Sequence, residues 1–128
     1  MPALHQYVEE YPKASLAGAE DVFYWCRDKF APKATISIYH VTSWLDPERP
    51  VAVIASKRVY ASHYFQAGLD LLAVVAAPQG GFYLMDLYRV RVDPPTGMLS
   101  GAILGKIRGG IEQGVAEGLR AKAALQAR

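Results

Sequence analysis

The sequence predicts an α+β domain: an antiparallel β-meander of about five strands, with a short N-terminal helix and a long C-terminal helix packed on the sheet. Two observations carry this prediction. Between residues 21 and 92, short runs that are rich in aromatic residues, alternate in polarity or are apolar throughout are separated by turns rich in proline and glycine, as in antiparallel strands. From residue 97 to about 125, apolar residues recur every four positions, which approximates the period of a helix.

Length and composition restrict the class of protein. The chain has 128 residues, so we treat residues 1–128 as a single domain. Hydrophobic residues make up 52% and charged residues 20%, which excludes a disordered chain. No apolar run is long enough for a transmembrane span, and no secretory signal pattern is present at the N-terminus, so we expect a cytoplasmic protein.

Charge and motifs exclude several functions. The formal net charge of +2 gives no strong attraction to nucleic acid, and Lys57, Arg58, Arg89 and Arg91 do not form a nucleic-acid-binding stripe. Cys26 is the only cysteine, which excludes an intrachain disulfide and a cysteine-based zinc site. No phosphate-binding, dinucleotide-binding, zinc-protease or calcium-loop motif is present, so we expect neither a metal nor another cofactor.

The first half of the chain predicts one helix and three strands. The helix precedes Pro12, and its apolar residues at helical spacing are Leu4, Tyr7, Val8 and Tyr11. Strands are predicted at 21–27, which is rich in aromatic residues, and at 34–44, which alternates in polarity. The turn at 46–50 contains two prolines and leads into a strand over 51–59, so these two strands form an antiparallel hairpin.

Prolines and glycines separate the later elements. They are a bend at 60–66, a strand at 67–77, a turn at 78–81, a second strand at 82–92, a proline-rich break at 93–95 and the final helix at 97–125. The two strands around the turn at 78–81 form the second predicted hairpin. Thr96 is a suitable N-cap for the helix, because its hydroxyl can accept a hydrogen bond from the first turn.

The final helix is rich in glycine. Each interior glycine costs about 0.8–1.0 kcal/mol of helix propensity relative to alanine, so contacts outside the helix must compensate. Three interpretations remain open: tight packing on the sheet, a helix that lines a ligand cavity, and a face for self-association or membrane contact. The glycines are Gly97, Gly101, Gly105, Gly109, Gly110, Gly114 and Gly118.

Histidines on or beside apolar strands are candidate functional residues. Alternation places His40 on one strand face with Ile36, Ile38 and Trp44, where it is either a hydrogen-bonded core residue or a polar anchor for a ligand. His63 lies among aromatic residues at the predicted bend, where it either braces two strands or points into a cavity.

Asp86 is the third candidate. It shares a strand face with Leu84 and Tyr88, and a carboxylate on a buried face needs a partner. It therefore either belongs to a structural salt bridge or acts as an anchor or general base in an apolar pocket. The candidate partners are His40, His63, Arg58 and a tyrosine hydroxyl.

The order of elements over residues 21–125 resembles the later part of the START-like helix-grip fold, in the superfamily that includes Bet v 1-like and polyketide-cyclase-like proteins. The segment from Gly80-Gly81-Phe82 to Val92, followed by Asp93-Pro94-Pro95 and the long helix, is similar to the final strand and gripping helix. In that family a curved sheet wraps the helix and leaves a cavity for lipids, sterols or other apolar ligands. The family fold begins with a strand and two helices before the main sheet, whereas only a dozen residues precede the sheet here. Two interpretations of this departure stay open: a sheet edge open to a second chain, and a chain that corresponds to part of a longer ancestral protein.

The leading functional hypothesis is a non-catalytic protein that binds a hydrophobic small molecule or lipid between the sheet and the C-terminal helix. One alternative is a cyclase, isomerase or hydrolase that uses Asp86 or His63 as its base. Another is a structural or interaction module that forms a homodimer. The predicted ligand-binding residues are Ile38, His40, Trp44, His63, Leu84, Asp86, Tyr88, Ile103 and Ile107.

Overall fold

The fold is a single antiparallel sheet with one helix at each end of the chain. A computed structural model describes residues 1–29, 33–93 and 100–126. The elements are α1 (Pro2–Glu10), β1 (Ala19–Asp28), β2 (Thr35–Leu45), β3 (Val51–Ala61), β4 (Phe65–Ala76), β5 (Phe82–Val92) and α2 (Ser100–Gln126). The strands lie in the order β1-β2-β3-β4-β5, and each pairs antiparallel with its neighbour. This confirms the predicted α+β meander, and the arrangement is compatible with a helix-grip-like fold.

The predicted element boundaries differ from the observed ones by a few residues. β1 begins at Ala19, and β3 continues to Ala61, so the predicted bend shrinks to residues 62–64. The predicted N-cap Thr96 and the first predicted helical residues, 97–99, lie outside the described part of the chain.

Two tight turns set the hairpins. Between β4 and β5, Gly80 and Gly81 have φ angles of +91° and +81°, which glycine adopts without steric cost. Between β2 and β3, the Asp46 carboxylate closes the proline-containing turn: its Oδ1 accepts a hydrogen bond from the Glu48 amide at 2.9 Å, and its Oδ2 lies 3.0 Å from Arg49 Nε. The local chemistry of both turns thus produces the antiparallel pairing.

The register of the strands divides the side chains between two faces. On the face towards α2, which we call the inner face, Tyr39 pairs with Arg58 across β2 and β3. On the face towards α1, which we call the outer face, His40 pairs with Lys57, and the Lys57 amine donates to the Val8 carbonyl at 2.9 Å. Because successive side chains of a strand point in opposite directions, adjacent residues such as Lys57 and Arg58 serve different faces.

The apolar core lies under α1 on the outer face. Leu4, Trp44 and Val53 are buried together, and Val8 of α1 and Ala73 of β4 pack against them. Trp44 is fixed by a hydrogen bond from its Nε1 to the Ala17 carbonyl at 3.2 Å. The short helix therefore docks on the middle strands through one apolar face.

Replacing Leu4 by alanine tests this docking. Since Leu4 is 4% exposed, we expect Leu4→Ala to lower the free energy of unfolding by about 2–5 kcal/mol, the usual cost of a large-to-small core substitution. Urea denaturation followed by circular dichroism measures the change. The matched control is Gln6→Ala on the exposed side of α1, which should change stability by less than about 0.5 kcal/mol. Equal effects of the two substitutions would contradict the packing.

Candidate functional site

A cavity of about 360 Å³ lies between α2 and the inner face of the sheet, and we call it the inner cavity. The sheet supplies a polar floor with one cation and several carboxylates, while the helix supplies an apolar wall. Its lining residues are Asp28, Arg58, Phe65, Asp70, Asp86, Tyr88, Gly110, Ile111, Gly114, Val115 and Gly118.

Arg58 of β3 occupies the floor of the inner cavity. Its Nε donates a hydrogen bond to the Tyr39 hydroxyl at 2.9 Å, and its Nη2 donates to the same oxygen. The guanidinium carbon lies 4.0 Å from the centre of the Phe65 ring and 5.0 Å from that of Tyr39, both within cation–π range. The remaining nitrogen, Nη1, is buried and has no hydrogen-bond acceptor in the structure as described. The side chain is thus oriented by its neighbours and keeps an unused donor.

Gly68 on β4 leaves room for this arginine. A Cβ placed on Gly68 would lie 3.4 Å from the Cβ of Arg58, which is at the tight end of normal contact. The two residues are directly opposite each other across β3 and β4. A larger residue at 68 would therefore crowd the stem of Arg58.

Tyrosines surround the arginine on the inner face. Tyr24 and Tyr39 stack with ring centres 5.0 Å apart and planes inclined by 11°. Burial raises the pKa of Tyr24, and it also raises the pKa of Tyr88, where the Arg58 guanidinium acts in the opposite direction. These hydroxyls therefore stay protonated at neutral pH and can donate hydrogen bonds.

Three carboxylates complete the floor. Asp86 of β5 pairs with Leu72, two residues beyond Asp70 on β4, so alternation places both aspartates on the inner face. Asp70 and Asp86 each have an interaction partner in the structure. Asp28 lies at the end of β1 and accepts a hydrogen bond from Cys26 Sγ at 3.2 Å. Burial, reinforced by Asp28, raises the pKa of the Cys26 thiol, so this thiol is protonated at neutral pH.

The helical wall of the cavity explains part of the glycine pattern in α2. Ile111 and Val115 are its apolar side chains, and three glycines lie beside them. A Cβ added at five of the described glycines would meet no atom within 4 Å, so these positions do not provide the tight packing that one interpretation required. They are Gly101, Gly105, Gly109, Gly114 and Gly118.

A second cavity continues along the helix towards its first turn. It has a volume of about 570 Å³ and shares Ile111 with the inner cavity. Val90 and Val92 of β5 form its sheet side, and Ile107 lies in its helical side. The space between α2 and the sheet therefore extends beyond the N-terminal end of the inner cavity's helical wall. Together the two cavities run from Gly101 to Gly118, which at 1.5 Å per residue is about 25 Å.

The structure distributes the predicted ligand-binding residues over four places. Asp86 and Tyr88 line the inner cavity, and Leu84 shares their face of β5. Ile107 lines the second cavity and is 2% exposed, while Ile103 on the same helix is half-buried. The others lie elsewhere: Ile38, His40 and Trp44 on the outer face and His63 at the bend between β3 and β4.

His63 and Asp86 are not brought together. His63 is exposed at the bend that precedes Phe65, and Phe65 pairs with Val92 at one end of the β4–β5 hairpin. Asp86 pairs with Leu72, and the strand rise of about 3.3 Å per residue puts this pair roughly 20 Å from the bend. The structure therefore does not provide the single pocket in which these two residues would act as acid and base.

His40 belongs to a buried polar cluster on the outer face, beneath α1. Its Nε2 lies 2.6 Å from Asp21 Oδ1, and Thr42 Oγ1 donates to the same oxygen at 2.7 Å. The Tyr7 hydroxyl donates to Asp21 Oδ2. The imidazole is 2% exposed and lies between two rings, 3.9 Å from the centre of Tyr11 and 4.7 Å from that of Phe23. The cluster joins α1 to β1 and β2.

The Asp21 cluster shifts two pKa values. Burial works to raise the pKa of Asp21, but hydrogen bonds from Tyr7, Thr42 and His40 outweigh it, so the net pKa is lowered and the carboxylate is ionised at neutral pH. Burial and the nearby Asp21 raise the pKa of Tyr7 to about 12. The cluster is therefore a carboxylate that accepts three hydrogen bonds, as expected of a structural anchor.

Sequence reasoning did not single out Asp21, Tyr39, Phe65 or Asp70. A signal existed for Asp70, because it is the one charged residue in the apolar run 67–77. No comparable signal existed for Asp21, since its contact with His40 depends on the register between β1 and β2.

Three findings concern metal sites, membrane-spanning helices and similarity to known proteins. Within residues 1–29, 33–93 and 100–126, no three His, Cys, Asp or Glu side chains are grouped so that they could hold a metal ion. Neither helix, over its described residues, combines the length and apolar character needed to span a membrane. No family model, no curated protein and no solved structure matches the chain.

The link from Tyr7 to Asp21 predicts an alkaline loss of stability. Folding raises the pKa of Tyr7 from 10.0 to about 12, so its stabilisation is complete below pH 10 and is lost as the pH rises towards 12. We expect Tyr7→Phe to lower the free energy of unfolding at pH 7 by about 1.5–3 kcal/mol, as for a hydrogen bond to a charged group. The difference from the unchanged protein should shrink between pH 10 and 12.

Urea denaturation at a series of pH values measures this difference. Tyr83→Phe is the matched control, because Tyr83 is 62% exposed and its hydroxyl is not bonded to Asp21. A Tyr7→Phe penalty that stays constant from pH 7 to pH 11.5 would show that Tyr7 does not titrate with a raised pKa, since about 1.4 kcal/mol accompanies each pKa unit.

Proposed function

We propose that the protein is a non-catalytic binding protein for an amphipathic, largely hydrophobic small molecule or lipid, held between α2 and the inner face. The observation that carries the proposal is the inner cavity, which combines an apolar helical wall with Arg58 and Tyr88 on its floor. Ligand sites of proteins usually have volumes of about 300–1,000 Å³ and place a few oriented polar groups in an apolar lining. This cavity has that character, and it is the arrangement expected of a START-like, helix-grip protein.

The polar floor defines one end of the ligand. Arg58 is held by Tyr39 and Phe65, and its buried Nη1 lacks an acceptor in the described structure. A ligand oxygen, from a carboxylate, carbonyl or hydroxyl group, would satisfy this donor and remove the cost of leaving it unpaired. The polar end of the ligand therefore lies at Arg58, within reach of the Tyr88 hydroxyl.

The helical wall defines the other end. Ile111 borders both the inner cavity and the second cavity, so the two spaces meet along α2. Their combined length of about 25 Å suits an elongated apolar chain better than a compact ring system. A lipid with one polar end and an extended chain fits both features, and the separation of Asp86 from His63 gives no support to the enzyme alternative.

Filling the cavity from the helix side tests the location of the ligand. Gly114 lines the inner cavity and has open space around a new Cβ, so Gly114→Leu should occupy the cavity while raising helix propensity. We expect binding of a dansyl-labelled fatty acid, measured by fluorescence titration, to weaken at least about tenfold, or 1.4 kcal/mol.

Gly109→Leu is the matched control, since Gly109 has equally open surroundings in α2 and lines neither cavity. It should bind the fatty acid as the unchanged protein does. The location is wrong if the two leucine variants behave alike, and the proposed function fails if the unchanged protein binds neither this fatty acid nor a neutral, environment-sensitive naphthylamine dye.

Removing the charge of Arg58 tests the polar end. Arg58→Met keeps much of the stem but removes all donors, so binding of the dansyl-labelled fatty acid should weaken about 10- to 100-fold, the equivalent of about 1.5–3 kcal/mol for a hydrogen bond to a charged group. Binding of the neutral naphthylamine dye should change less than about threefold, because it uses only the apolar wall. Equal losses for both probes would assign Arg58 a purely structural role.

A further inference from the structure

The outer face of β5 is left bare by α1, and that of β4 is only partly covered. Tyr83 and Met85 are each 62% exposed and Leu87 is 52% exposed, all on the same face of β5. Leu69 of β4, on the same face, is only half-buried. We call these four side chains the bare outer surface. A contiguous exposed apolar surface on a folded domain usually marks a contact with another molecule.

The isolated chain exposes more surface than a compact monomer of its mass. Its accessible surface measures 9102 Å², whereas a compact monomer of 14.0 kDa exposes about 6,700 Å² by the usual scaling of area with mass. The excess of about 2,400 Å² is shared between α2, most of whose described residues are exposed, and the sheet. It is larger than the roughly 800 Å² that each partner buries in a protein–protein interface of standard size.

Basic side chains border the bare outer surface at one end. One row across β3, β4 and β5 contains Lys57, Leu69 and Arg89. Arg91 lies on the same face, two residues further along β5. The Lys57 amine is already used by the Val8 carbonyl. Arg89 and Arg91 are exposed and make no ion pair with any carboxylate in the part of the chain that the structure covers.

The complementary charge lies on α1 of the same chain. Glu9 and Glu10 end this helix, and both are exposed. Glu9 lines the same outer groove as Arg89 and Arg91, so the acidic end of α1 and the arginines lie at the same level along the strands. Among the residues that the structure describes, Glu9 forms one ion pair, with His5 at 3.6 Å on the surface, and such a pair contributes little.

We propose that two copies of this chain associate face to face through their outer faces, with α1 of each protomer on the bare outer surface of its partner. The two-fold axis of this dimer runs parallel to the strands, between the two outer faces. It places α1 of one protomer over β4 and β5 of its partner, at the same height along the strands. Glu9 and Glu10 of one protomer then meet Arg89 and Arg91 of its partner. The contact is isologous and closed, because each protomer offers the same helix and the same uncovered half-sheet.

The charge pairing gives a test that distinguishes this interface from other contacts. The unchanged protein should sediment as a dimer. The double variants Arg89→Glu/Arg91→Glu and Glu9→Arg/Glu10→Arg should each dissociate at least tenfold more readily, because like charges then face each other. Mixed in equal amounts, the two variants should form a heterodimer, detected by native mass spectrometry from their mass difference.

Controls exclude effects of net charge and of misfolding. Lys106→Glu/Arg120→Glu makes the same change in charge on exposed positions of α2 and should leave the dimer intact. Circular dichroism checks that each variant is folded. Leu87→Asp disrupts the apolar part of the surface without changing an arginine, and it should also give monomers. All these variants should bind the dansyl-labelled fatty acid normally, so failure of the dimer and failure of the proposed function are separate results.

Three outcomes would overturn the proposal. The first is a monomeric unchanged protein at about 100 μM, a concentration at which an interface with a micromolar Kd is almost fully associated. The second is a dimer that survives every outer-face substitution, which would place the contact elsewhere. The third is a monomer that binds phosphatidylglycerol vesicles through Arg89 and Arg91, which would make an anionic membrane the occupant of this surface.

Discussion

Side chains of the five strands alternate between two faces, and each face has one helix to cover it. The two helices differ greatly in length: α1 has 9 residues and α2 has 27. At 1.5 Å per residue α1 is about 14 Å long, whereas the outermost strands of a five-stranded sheet are about 19 Å apart. The short helix buries Leu4 against the middle strands and leaves the flanks uncovered. The long helix spans its face but stands away from the sheet, so one face has excess surface and the other has internal space.

The two polar clusters of the sheet differ in a way that points to different roles. Around Asp21 the hydrogen bonds are complete: three donors converge on one carboxylate between α1, β1 and β2. Around Arg58, the contacts orient a cation by aromatic rings and a neutral hydroxyl, and one buried nitrogen lacks an acceptor. A buried donor without an acceptor lowers stability, and a ligand of the kind proposed would remove that cost.

The periodicity of the sequence predicted the helices and strands and which side chains share a face of one strand. It did not predict how neighbouring strands are aligned. The alternation of β2 correctly placed His40 with Trp44, and that of β5 placed Asp86 with Tyr88. It could not tell which of these faces meets α2, because that depends on how neighbouring strands are aligned and a shift of one residue exchanges the faces. His40 and Asp86 were therefore assigned to one predicted site, whereas the sheet separates them. The importance of Arg58 depends on Tyr39 and Phe65, which come from other strands.

The same alternation makes the two proposed functions physically independent. Lys57 and Arg58 are adjacent on β3, yet Lys57 anchors α1 on the outer face and Arg58 lies on the floor of the inner cavity. A ligand at Arg58 and a partner near Lys57 would approach the strand from opposite sides and would share no side chain. Coupling between them would have to pass through the backbone of β3, which at Lys57 and Arg58 is paired with both β2 and β4. A central strand fixed on both sides resists such displacement, so dimerisation would leave the cavity open for its ligand.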